Sequence, residues 1–157
     1  MDDLHRRILA EKENVEIALG NLKDAMARTE KTVIELAAIA TFLHNIYNGI
    51  ENMLKQILKA KGVDIPESAT WHKELLTLSV SEGIISDKLS DQLYIYLTFR
   101  HFFVHSYGFM LDEAHLEVLA NNITETWMQF TKEIEIEKED KRIHFRNIEE
   151  FDTHFGL

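Results

Sequence analysis

The sequence predicts an all-α protein, an up-and-down bundle of about five helices. Apolar residues recur at steps of three, four and seven over most of the chain, and capping residues separate the periodic segments. One proline in 157 residues leaves few places for the turns of a sheet protein, and a hydrophobic content of 45% suffices for one sizeable core. We expect a single helical domain over residues 1–140 and a C-terminal arm or helix over 141–157.

From Asp3 to about Arg28, Leu4, Ile8, Val15, Leu19, Leu22 and Met26 define an amphipathic helix with Arg6, Arg7, Lys12 and Lys23 on its solvated side. Thr29 or Thr32 caps a second helix running through Val33, Leu36, Ile39, Leu43, Ile46, Ile50, Met53, Ile57 and Leu58 to Lys59-Ala-Lys-Gly62. Its closing lysines and glycine suit a helix C-terminus. At about 1.5 Å per residue it exceeds ~40 Å, long enough to be the backbone of the bundle. Asn45, Asn48 and Asn52 near its middle read as exposed polar positions that can also border a cleft.

Pro66 marks a loop over residues 63–70. Thr70 then caps a short helix carrying Leu75, Leu76 and Leu78, with Trp71 read as a packing anchor and His72 as a surface histidine. Ser86 or Ser90 starts a fourth helix that ends between Ser106 and Gly108. Asp112 caps a long fifth helix with Leu116, Leu119, Ile123, Trp127, Phe130 and Ile134 on one stripe. Glu133 to Asp140 reads as an acidic exit, followed by Ile148, Phe151 and Phe155 at helical spacing.

A net charge of -10, most of it in the last third of the chain, argues against broad, non-specific binding to nucleic acid but leaves room for a local basic cleft. Without cysteine there is no disulfide, no thiolate nucleophile and no cysteine metal site. No run of eighteen apolar residues and no leader pattern stands out, so we expect a cytoplasmic protein that does not cross a membrane; separately, we expect no cofactor.

The fourth helix is apolar nearly all the way round, as in a helix covered on more than one face, which leaves a surface for a second copy of the chain. Within it, Arg100 falls on the stripe of Leu89, Leu93 and Tyr96, where an unpaired guanidinium is costly to desolvate unless it borders a wet cleft. His101 and His105 follow at once. Five residues turn an ideal helix by about 140°, so Arg100 and His105 share a cleft only if the helix loosens near His105 or if two chains each contribute.

Arg100-x4-His105 resembles the Arg-x4-to-6-His signature of HEPN-domain ribonucleases. With Tyr107 it is similar to the Arg-x4-His-x-Tyr motif of HepT toxins encoded beside a minimal nucleotidyltransferase (MNT) antitoxin. The resemblance implies the HEPN fold, a homodimer with a shared cleft, and metal-independent cleavage of RNA, either a structured RNA such as tRNA or mRNA. It further implies Arg100 as the phosphate-stabilising residue, His105 as general acid or base, and Tyr107 as the tyrosine that the antitoxin modifies with AMP. His101 stands where the family often has Asn; it is either a second proton-transfer group or a polar filling of the groove.

The chemistry suits these residue types. Histidine titrates near neutrality and moves protons, while arginine stays charged and grips phosphate oxygens through a fork of donors. Three other readings remain: a non-catalytic HEPN binding module partnering a nucleotidyltransferase, a metal site built on His101 and His105 with Asp112, Glu113 or His115, and a dimer interface in which Arg100 and the histidines simply satisfy one another.

Overall fold

The computed structural model describes residues 2–107 and 111–149, the side chains being described for residues 2–105 and 111–135. The chain forms five α-helices: α1 (Asp3–Met26), α2 (Val33–Ala60), α3 (Trp71–Ser81), α4 (Asp87–Phe102) and α5 (Glu113–Glu149). A π-helical turn, Phe103–Tyr107, continues α4, and no strand occurs among the described residues.

Local chemistry sets the helix ends. Asp2 accepts from His5 N at the start of α1, and Thr32 with Glu35 forms a complete capping box on α2. Ser86 caps α4, and Gly62 and Gly83 take positive φ just beyond α2 and α3. Thr70 holds the cap position of α3 without the expected cap bond, because its backbone is not extended. Ser68 Oγ takes over locally, accepting from Thr70 N and donating to Glu74.

The centre of the bundle is α2. Leu43, Ile46, Ile50, Met53, Leu54 and Leu58 are fully buried where α1, α4 and α5 pack on it. It is the one described helix long and apolar enough to cross a membrane, but that apolar surface forms the core of the bundle. Val33 and Ile34 in its first turn stay exposed, since buried packing begins only at Ile39.

Two polar contacts fix α4 against α5. Tyr96 donates its buried hydroxyl to Leu119 O at 2.7 Å, and Ser86 donates both N–H and hydroxyl to Glu133. Every expected apolar position of α5 from Leu116 to Ile134 is buried. The helix runs on through the acidic stretch without a break to Glu149, with Glu135 paired to Lys12 on α1 at 3.6 Å. Residues 150–157, including Phe151 and Phe155, lie outside the described residues.

Helices α1 and α2 approach closely at Gly49, where an added Cβ would overlap Val15 Cγ2. Valine is stiff at χ1 in a helix and cannot easily turn aside. Gly49→Ala is therefore expected to destabilise the fold by about 1–2 kcal/mol: overpacking at ~1–3 kcal/mol exceeds the ~1 kcal/mol gained in helix propensity. In a Val15→Ala background the same substitution should become neutral or stabilising. Urea unfolding of the double-mutant cycle checks the sign change.

Candidate active site

The α4 helix delivers Arg100 in its last turn and passes into the π-helical turn that carries His105. Hydrogen bonds from i to i+5 widen this turn, so a five-residue step brings a side chain back toward the side it started from. The helix thus loosens where the two motif residues require it. Arg100, His101 and His105 of a single chain line one cleft of about 680 Å³, together with Thr70, Trp71 and His72 at the start of α3.

Arg100 is half-buried and makes no ion pair among the described residues. It is held by a neutral partner: its Nε donates to Asn48 Oδ1 at 3.1 Å. That bond joins α4 to α2 and leaves the two terminal amino groups of the guanidinium for a ligand. A cation partly out of water, with no carboxylate beside it, favours an anion at its open side.

Asn48 is itself oriented by His44, its Nδ2 lying 3.0 Å from His44 Nε2. The amide has only hydrogens to offer there, so His44 Nε2 accepts and the ring is neutral with its proton on Nδ1. Burial holds His44 below the ordinary imidazole range, and the positive charge of Arg100 lowers it further. The ring packs against Phe103, the first residue of the π-helical turn, at 5.4 Å between centroids. Asn48 therefore holds the arginine in place.

His101 and His105 are both exposed, with ring centroids 4.4 Å apart. Tyr107 lies in the π-helical turn, but its side chain is outside the described residues. The metal reading lacks its ligands. Asp112 and His115 line a different cleft, with Ile95, Phe99 and Phe102, and no three His, Asp or Glu side chains among the described residues come together to hold an ion.

His72 departs from the expectation of a surface histidine. Its Nδ1 lies 2.9 Å from both carboxyl oxygens of Glu51, which is only 2% exposed on α2. Trp71 stacks on the His72 ring at 3.6 Å, and Lys55 Nζ sits 4.5 Å from the Trp71 ring centroid. Glu51 carried a signal that could have been read: it falls on the apolar stripe of Tyr47, Leu54 and Leu58, where a carboxylate needs a partner. Burial and the neighbouring Glu51 charge push the Tyr47 hydroxyl well above the usual phenol range, so it stays protonated.

A family model described as HepT-like protein matches residues 38–139, which span α2 beyond its first turns, α3, α4, the π-helical turn and most of α5. The match includes Arg100, His101, His105 and Tyr107 and excludes α1. No curated protein and no solved structure matches the chain.

Because the folded state disfavours protonated His44, the stability tied to this ring is present above pH ~6.5, its unfolded value. It is lost as the pH falls from there through the lowered folded value. In an NMR titration His44 should titrate below free histidine. Arg100→Gln should move it only part of the way back, since burial is the larger cause. A His44 that titrates like the free side chain would contradict this network.

Proposed function

The chain belongs to the HepT-like family, as a HepT-type HEPN-domain protein, and from that premise we propose that it is a metal-independent endoribonuclease toxin. The observation that carries this reading is Arg100, a half-buried cation with no ion pair among the described residues, lining one cleft with His105. RNA brings the missing anion. Its 2′-OH attacks the neighbouring phosphorus, the bond to the 5′-oxygen breaks, and a 2′,3′-cyclic phosphate remains. DNA, lacking the 2′-OH, is left uncut.

In this reaction the terminal amino groups of Arg100 hold the phosphate oxygens as charge builds on them. His105 acts as general acid or base, and the adjacent His101 either shares proton transfer or shapes the groove. No metal is required. The substrate is a structured RNA such as tRNA, or mRNA.

We place the working enzyme in a homodimer with a shared cleft. Ile95 is 54% and Val104 46% exposed beside the motif, an apolar surface that the chain's own bundle leaves uncovered and a second copy can bury. Control comes from an MNT nucleotidyltransferase antitoxin that adds AMP to Tyr107. The adenylate brings bulk and negative charge close to Arg100, occupying the phosphate site without unfolding the bundle.

Purified protein incubated with total cellular RNA in excess EDTA should generate cyclic-phosphate ends. His105→Ala should slow the reaction by about 10²- to 10⁴-fold with the fold intact. Mass spectrometry of the protein separates the alternatives. No cleavage by protein of unmodified mass would favour a binding module that partners a nucleotidyltransferase, whereas no cleavage with added adenylate mass would identify a toxin already silenced.

A further inference from the structure

RNA transesterification moves two protons: one leaves the 2′-OH and one reaches the departing 5′-oxygen. A single histidine serves only one of them in a given step. The cleft that contains Arg100 and His105 has a second wall, made by the start of α3, and His72 lies on it.

His72 is built differently from the other histidines of that cleft. Its Nδ1 is taken by a carboxyl group that is almost wholly buried, with both oxygens at 2.9 Å. Trp71 covers one face of the ring. A carboxylate at Nδ1 fixes the tautomer that carries its proton there, so Nε2 is the nitrogen that offers a lone pair. The same carboxylate stabilises the positive ring that forms once Nε2 has taken a proton. His101 and His105, exposed and packed on one another, have no carboxylate partner among the described side chains.

We propose that His72, held by the buried carboxyl of Glu51, is the general base of this cleft, taking the 2′-OH proton on Nε2 while His105 protonates the leaving 5′-oxygen. The assignment rests on the ribonuclease reading above and divides its two proton transfers between residues that line the cleft from α3 and from the π-helical turn. The 2′-oxygen bonds to phosphorus as the bond from phosphorus to the 5′-oxygen breaks. One proton passes to His72 and one leaves His105, so the step conserves charge, and exchange with water restores both rings. Glu51 touches no reacting atom and is a positioning residue.

His72→Asn tests the assignment without stranding Glu51, because an asparagine amide occupies the place of ring Nδ1 and still donates to the carboxyl while carrying no titrating group. The substrate is the RNA found to be cleaved, prepared either unmodified or with sulfur in place of the 5′-oxygen of the scissile linkage. A thiolate leaves without being protonated, so sulfur relieves the loss of an acid but not the loss of a base.

His72→Asn, with an unchanged circular-dichroism spectrum and melting temperature, should lose about 10²- to 10⁴-fold in cleavage of both RNAs. His105→Ala should recover most of its rate on the sulfur-containing one. Glu51→Gln should show a smaller loss with the same indifference to sulfur as His72→Asn. A His72→Asn protein that cleaves within about threefold of the parent overturns the assignment while leaving the ribonuclease reading standing, and so does a loss that sulfur rescues. If parent protein of unmodified mass cleaves no RNA, both readings fall together.

Discussion

The hydrogen bond from Arg100 Nε to Asn48 Oδ1 ties the end of the motif helix to the central helix of the bundle, and the geometry of the cleft depends on it. An aspartate at that place would neutralise the guanidinium and leave little charge for a ligand. An apolar residue would leave a half-buried cation with nothing to hold it. The amide fixes the arginine without cancelling its charge. It does so because His44, kept neutral chiefly by burial and secondarily by Arg100 itself, accepts from its other end. The three residues form a chain with one direction: burial, helped by the positive charge, keeps the histidine an acceptor, the histidine sets the amide, and the amide holds the charge.

The second constraint is the change of helix type at Phe103. An α-helix continued through His105 would carry that side chain about 140° away from Arg100. Widening to the π form brings both to the same cleft within one chain, and Phe103 is held there by His44 and by stacking on Phe99 at 5.9 Å. The aromatic residues around the motif thus support the backbone departure that the polar residues use. His44 takes part in both, accepting from Asn48 through its edge and packing on Phe103 through its body.

Much of the bundle was legible in the sequence because burial follows helical period. Leu116, Leu119, Ile123, Trp127, Phe130 and Ile134 were marked by spacing alone and all are buried. Arg100 was legible as an exception, a permanent charge on an apolar stripe. The histidine of α3 was not, for a physical reason: its significance lies in Glu51, which is 21 residues away across the Pro66 loop, and only the folding of α3 against α2 brings them together. Glu51 had the same exceptional character as Arg100 but sat among many acids in an acidic chain. The π-helical turn was legible only as one of two alternatives, a helix that loosens near His105 or two chains that each contribute, since composition does not choose between i to i+4 and i to i+5 bonding. Thr70 shows the converse error, a residue of the right type in the right place whose backbone angle denies it the cap bond.

If an acidic protein is to act on RNA, as proposed for this one, it has to concentrate its few useful charges. With a net charge of -10 the chain as a whole repels phosphate, so a broad electrostatic surface cannot supply affinity. Some of that acidity is structural: Glu133 is bonded to Ser86, Glu135 is paired with Lys12, and Glu51 is buried beside His72. Along the cleft, by contrast, Lys73, Arg100, His101 and His105 have no carboxylate among the lining residues, and Glu51 reaches the cleft only through His72. On the proposed reading the long-range repulsion discourages contact with RNA in general, and only a phosphate that enters the cleft meets uncancelled positive charge. On the same reading one added adenylate would suffice as a switch, because so little of the protein's charge favours RNA at all.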